Sequence, residues 1–370
     1  MNLTIAKEHL LSGLQAVQNV AGGRTTLPIL HNVLLRAQPG QLELTATDLD
    51  MTVSCSVPAT VGSPGATTVP AKTLFGIVRE LNGLEIEMEV DEKNTCSLRA
   101  ASSYYRLRGI SADEFPPLPV FPKAQQVELP RERLAGMLRK TSFAMSTDES
   151  RYVLNGVFFS LKEHKLTLVA TDGRRLALVE EEVDLPEQGQ GEFILPAKAV
   201  GEMARLLPGP GNVLVRFAEN QAAFEFKDEK GAPVLLITKL VEGHYPNYRQ
   251  VIPTEARERV TLPREEFLHA LRRAEFMTSD KANSVKLTFT RNNLAITANS
   301  PDVGEARESL AINYAGNELA IAFNPRYLIE PLTALTEYDE VFLELTDELS
   351  PGVLKVNGPF LYVVMPMRLT

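Results

Sequence analysis

Two aspartates two residues apart, Asp48 and Asp50, close the strand-like run LELTATDLD at 42–50, and Asp172 holds the same place in LTLVATDGR at 166–174. Paired carboxylates at such a corner can hold a metal ion or act as acid and base. The corresponding run LAITANSPD at 294–302 has Asn299-Ser300 instead, and no further oxygen ligands follow at suitable spacing. The structural reading is that Asp at a strand end caps the next turn. His9, His31, His164, His244 and His269 form no H-E-x-x-H and no zinc-like spacing with Cys55 and Cys96. G-x-S-x-G, Walker-type and G-x-G-x-x-G patterns are absent, and Gly22-Gly23-Arg24 alone is too short to cradle a nucleotide. The sequence therefore predicts no enzyme, no catalytic residue, no cofactor and no metal.

Those corners belong to a unit that occurs three times along the 370 residues. The unit begins Leu3-Thr4-Ile5-Ala6-Lys7-Glu8, Val127-Glu128-Leu129-Pro130-Arg131-Glu132 and Val260-Thr261-Leu262-Pro263-Arg264-Glu265, each a short strand entering a helix. A second strand-to-helix block reads VPAKTLFGIVREL at 69–81, LPAKAVGEMARLL at 195–207 and FNPRYLIEPLTAL at 323–335. Each copy is domain-sized, too long for a solenoid repeat. Turn-rich boundaries at Pro116-Pro117-Leu118-Pro119 and Ile252-Pro253-Thr254 suggest domains at 1–122, 123–254 and 255–370. Alternating strands are expected at 41–46, 85–90, 157–161, 213–217 and 341–345. The fold class is α+β: three similar domains, each with two helices packed on antiparallel sheet. Pro130 and Pro263 are expected in the first helical turn, where a missing N–H costs nothing.

Net charge is −9, from 38 basic and 47 acidic residues, which would repel phosphates if spread evenly. Helical spacing concentrates the bases. With Lys72 at zero, Arg79 falls at about −20° while Leu74, Ile77, Val78 and Leu81 lie opposite. Lys198 and Arg205 repeat this against Val200, Met203, Ala204 and Leu207, and Arg326 keeps the first position. On the first helices, Arg139 and Lys140 turn away from Leu134 and Leu138, and Arg272-Arg273 do so in the third copy. Nine bases are thus predicted on exposed helix faces, diluted by Glu202 and Glu330. They are either ordinary solvated faces or one shared basic surface that holds phosphates without reading bases. No window is apolar enough to span a membrane, MNLTIAKEHL lacks a signal-peptide core, and two cysteines suit a reduced cytoplasm.

From end to end the chain resembles the β subunit family of bacterial DNA polymerase III, the β sliding clamps. The match rests on HLLSGLQAV at 9–17, RTTLPIL at 24–30, LNG at 154–156, ATDGRRLAL at 170–178, YPNYR at 245–249 and YVVMPMRL at 362–369. It implies the DNA clamp fold, with two chains head to tail closing a six-domain ring that slides on duplex DNA as a polymerase processivity factor. The implied partners are duplex and primed DNA, the polymerase III catalytic subunit and the clamp loader complex. Other polymerases, ligase and mismatch-repair proteins would join them through QLxLF-type motifs. The implied location is the cytoplasm, at the nucleoid, with no membrane partner. A scaffold of the same fold that binds peptides without encircling DNA is the alternative.

The resemblance also implies sites. Arg24, Arg151 and Tyr152 would contact DNA, although Val153 stands where a second tyrosine is expected. Phe276-Met277 would lie at the dimer interface; helix-end core is the other reading. A peptide pocket would comprise Leu154, Thr171, Gly173, Arg174, Arg175, Leu176, Pro246, Val251, Asn324, Tyr327, Val363, Val364, Met365, Pro366, Met367 and Arg368. Methionines, proline and valines make an adaptable apolar slot, and a final core strand is the competing reading of the same ending. Arg174 replaces an expected His, and Gln250 an expected Arg.

Overall fold

A computed structural model describes residues 1–22, 26–120, 124–185 and 189–368. Arg24 lies outside these described residues. Each repeat holds a helix pair: α1 (Lys7–Val17) with α2 (Ala71–Glu80), α3 (Arg131–Thr141) with α4 (Ala197–Leu206), and α5 (Arg264–Glu275) with α6 (Pro325–Ala334). In α2 the apolar stripe is inside, with Leu74 and Val78 buried and Lys72 and Arg79 exposed. Burying such a stripe, more than intrinsic propensity, is what stabilises a short helix. Pro130 and Pro263 do not open helices as expected. Each ends the preceding strand, opposite Asn212 and Glu340. A fixed φ near −65° suits the last extended residue before a helix as well as its first turn. Among the α-helices of the described residues, α6 is the one that a proline, Pro325, opens.

Contacts group the chain into two compact units, one of residues 1–135 and 201–240, the other of residues 136–185, 190–200 and 241–370. In the first unit, Thr60–Ser63, Asn2–Ala6, Glu85–Val90, Thr95–Ala100 and Ser103–Arg108 form a five-stranded sheet in that order. Its eight-stranded sheet joins four strands of the second repeat to four of the first by pairing Pro233–Lys239 with Met51–Pro58, Leu236 opposite Val53. In the second unit, the eight-stranded sheet joins the second repeat to the third by pairing Arg175–Glu182 with Phe360–Val364, Leu176 opposite Val363. Its four-stranded sheet runs Gly304–Ala311, Asn293–Ser300, Val285–Thr290, Leu319–Phe323. All these pairings are antiparallel. One rule governs both junctions: the strand after the aspartate corner pairs with the last strand of the next repeat. Sheets therefore cross the repeat boundaries, which local sequence does not announce.

A basic residue at the start of each first helix ties it to the end of its partner helix. Lys7 Nζ donates to Leu81 O at 2.5 Å, and Arg264 donates to Leu332 O at 3.1 Å and Tyr338 O at 2.8 Å. Arg131 is buried and donates to five carbonyls: Leu206, Leu207, Pro208, Pro210 and Lys227. The last carbonyls of a helix lack intrahelical donors and carry the negative end of its dipole, so a cation is the fitting partner. Asp48 and Asp172 cap their corners as expected of Asp at a strand end: Asp48 Oδ1 accepts from the N–H of Asp50 and Met51, Asp172 Oδ1 from those of Arg174 and Arg175. Cys55 and Cys96 are free and buried, and burial pushes both thiols up to about 12, leaving them inert at neutral pH.

Lys140 departs from the expected exposed face. It is buried, with Nζ 2.7 Å from Glu337 and 5.5 Å from the centre of the Tyr338 ring. Burial works to raise the Glu337 carboxyl, but the hydrogen bond from Lys140 and the nearby charges of Lys140 and Arg139 outweigh it and hold the group low. A depressed carboxyl contributes stability above its unfolded value, near 4.5, and loses it as pH falls through the lower folded value. Glu337→Gln is accordingly expected to cost about 1 kcal/mol at neutral pH, discounted for the carboxylate's partial exposure, and less in acid. Urea unfolding of both proteins at pH 7 and below pH 4 measures this; an equal gap at both would remove Glu337 from the account.

Candidate peptide pocket and nucleic-acid interface

Strand alternation sorts the expected pocket residues within the second unit. Pairing sets Thr171 opposite Leu176, Leu176 opposite Val363 and Phe158 opposite Val169, so these side chains share one sheet face. Buried Val169, Leu176 and Val363 form an apolar floor against which Phe158, Leu178, Leu361, Tyr245, Tyr248 and Ile252 pack. Phe158 and Tyr245 stack with ring centres 4.9 Å apart. Around this floor Gly173, Arg174, Pro246, Val251, Met365, Met367 and Arg368 are exposed, Thr171, Asn324, Tyr327 and Pro366 half-buried, and Leu154 buried. The methionines stay in place through backbone bonds: Met365 N–H to Arg174 O at 2.9 Å and Met367 N–H to Ala322 O at 2.7 Å. Gly173 has a positive φ of +85°, and a Cβ there would stand 2.8 Å from a guanidinium nitrogen of Arg151, so the corner needs glycine.

Two expected wall residues turn the other way. Val364, opposite Arg175, is fully buried and offers no wall. Arg175 is buried too. Its guanidinium contacts Asp172 at 3.0 Å, Glu330, and Phe143 O at 2.7 Å, and lies 4.5 Å from the centre of the Tyr327 ring. Burial alone would push this group down, but Tyr362, Glu330 and Asp172 outweigh it and hold the charge firmly. Arg175 is thus a brace. It positions Tyr327, whose carbonyl also accepts from the Tyr362 hydroxyl at 2.6 Å, while Asn324 caps α6 through the Arg326 N–H. Beside the brace, a polar cavity of about 430 Å³ is lined by Arg151, Arg174 and Arg326 with Asp148 and Glu330. Tyr245, Tyr248, Leu178 and Leu361 were missed as site residues, although counting by twos from Leu176 and Val363 reaches the two leucines.

The basic helix faces are only partly what spacing predicts. Lys72, Lys198, Arg272 and Arg326 are exposed, as are Arg151 and Tyr152. Arg139 is exposed but bonded to Glu337 at 3.1 Å, and Arg273 to Glu308 at 2.6 Å. Arg79 contacts Glu80 at 2.8 Å. Arg205 is exposed as well, and its guanidinium donates to Gln15 O and Ala16 O, both at 2.8 Å, and to Glu202 at 2.6 Å, so it also serves the end of α1. Ala204, expected on the buried side, is exposed. Phe276 follows the last residue of α5 and is 76% exposed, which rules out the core reading for it; Met277 is half-buried.

Models of the DNA polymerase III beta subunit match in chain order: the N-terminal domain at residues 1–119, the central domain at 128–247 and the C-terminal domain at 249–368. The chain belongs to this family. It is 36% identical to the beta sliding clamp of Escherichia coli K12 and 35% to that of Chlamydia pneumoniae, over 100% of this chain and 100% and 99% of theirs. A solved sliding clamp of Bartonella birtlesii, bound to griselimycin, superimposes with a TM-score of 0.94 at 35% identity, each chain covered fully. The three clamp domains, built on antiparallel sheets, thus have the family's fold. Beta subunits are processivity factors without catalysis, so the chain is not an enzyme. No helix among the described residues is long and apolar enough to cross a membrane.

Proposed function

We propose that the chain closes with a second copy into a ring that encircles duplex DNA and tethers DNA polymerase III to it, with domains at 1–122, 123–254 and 255–370. Two sheet edges carry this reading. The junction rule pairs the strand after each corner with the last strand of the next repeat, and it is fulfilled twice within the chain. Its third instance needs Gly304–Ala311 and Ser103–Arg108, each of which ends a sheet. A head-to-tail second copy supplies both partners and removes the exposed edges.

Lys72, Arg139, Lys198, Arg272, Arg273 and Arg326 would face the duplex, with Arg24, Arg151 and Tyr152 taking a primed end. Loose, water-mediated phosphate contacts suit a body that slides without reading sequence. The methionine-rimmed pocket would bind QLxLF-type motifs of the polymerase III catalytic subunit, the clamp loader complex, other polymerases, ligase and mismatch-repair proteins, at the nucleoid. The test is retention on a nicked circular plasmid after loading. A ring stays on the circle and leaves when the plasmid is cut, and Lys72→Ala, Lys198→Ala and Arg272→Ala together speed loss about tenfold at moderate salt. Equal retention on cut and circular DNA would favour the scaffold that never encircles DNA.

A further inference from the structure

We propose that Arg79, at the end of α2, caps the C-terminus of α5 in a second copy of this chain, and so belongs to the subunit junction and not to the phosphate-facing set. The proposal rests on the two-copy ring above. Arg205 occupies the equivalent position, seven residues after Lys198 as Arg79 follows Lys72. Its guanidinium reaches back to the preceding repeat and donates to Gln15 O and Ala16 O, in the last turn of α1, while Glu202 orients it. At the next junction the same two helix ends meet: Arg139 and Lys140, closing α3, engage Glu337, which follows α6. The second helix of one repeat thus meets the first helix of the repeat before it, at the junctions where the sheets also pair. Extending both rules to the third junction sets the end of α2 against the end of α5 in the other copy.

The end of α5 is shaped to receive a donor. Counted from the first helical residues, Lys7 and Arg264, the carbonyls matching those of Gln15 and Ala16 belong to Arg272 and Arg273. The N–H groups of Phe276 and Met277 turn to the Ala274 carbonyl instead of reaching four residues back to those two. An arginine there would meet carbonyls at the negative end of a helix dipole. Like charge does not forbid the approach: the Arg273 guanidinium is matched by Glu308 at 2.6 Å, and Arg272 donates to the Thr333 hydroxyl at 3.2 Å. On the donor side, Arg79 is 59% exposed and held by Glu80 and the Phe75 ring, whose centre is 5.7 Å away.

Sedimentation equilibrium without DNA tests the assignment. The wild-type chain is expected to be a dimer at micromolar concentration; a monomer would overturn the ring itself, whatever Arg79 does. Arg79→Ala should raise the dimer dissociation constant about ten- to a hundredfold, the effect of losing charge-assisted bonds at an interface, with the urea midpoint of the separated chain unchanged. Lys72→Ala, on the same helix face, should leave the dimer as tight as wild type. An Arg79→Ala dimer of wild-type tightness overturns the proposal. So does equal weakening by Lys72→Ala, which would make the effect one of general charge.

Discussion

Arg131→Met is expected to cost about 3–5 kcal/mol of stability, the largest loss from any single change considered for this chain. Methionine fills much of the same space, so the loss is one of hydrogen bonding. Five carbonyls share the Arg131 guanidinium, those of Leu206 and Leu207 among them at the end of α4. A buried acceptor left without a donor costs about 1–3 kcal/mol, and water reaching the loop recovers part of that sum. The series supplies its own scale: Arg264 serves two carbonyls and Lys7 one. Urea unfolding of Arg131→Met, Arg264→Met and Lys7→Met should therefore rank in that order. A change below about 1 kcal/mol at Arg131 would mean that water replaces the side chain fully.

Met365→Ala with Met367→Ala is expected to weaken a labelled QLxLF-type peptide by about thirty- to a hundredfold, as two half-exposed thioethers stop covering its Leu-Phe pair. Both side chains are exposed, and their backbone N–H groups hold Arg174 O and Ala322 O, so the chain should fold unchanged. Fluorescence anisotropy, with circular dichroism as the folding control, reads the outcome. Undiminished affinity in the double variant would move the peptide off this rim. Arg174→Ala makes a finer comparison, because Arg174 shares the adjoining cavity with Arg151 and Arg326. A change confined to peptides with an acidic residue would identify that cavity as a charge reader.

Much of this was legible in the residues. The threefold recurrence, the alternation that makes strands of 85–90 and 213–217, the buried stripe of Leu74 and Val78, and the turn-capping aspartates follow from local rules, since period and turn chemistry act over a few neighbours. Family membership was legible too, because motifs such as ATDGRRLAL are contiguous. Sequence left Phe276 between dimer interface and helix-end core, and its exposure removed the second reading.

What only the tertiary structure decided depends on partners far along the chain. Helical periodicity places Arg205 and Lys140 on outward faces but carries no information about what approaches those faces. Arg205 meets Gln15 O from 190 residues away, and Arg175 meets Glu330 across 155. Each basic group thereby gains protein acceptors that its spacing along the chain does not reveal. The same distance hid the shared sheets: edge pairing of Pro233–Lys239 with Met51–Pro58 is made by backbone groups common to all residues but proline. The sequence by itself determined the unit, its helices and strands, and its family. Which charges stay available, and which strands remain edges, was settled only when the repeats packed, because pairing and burial depend on neighbours that the chain brings from another repeat.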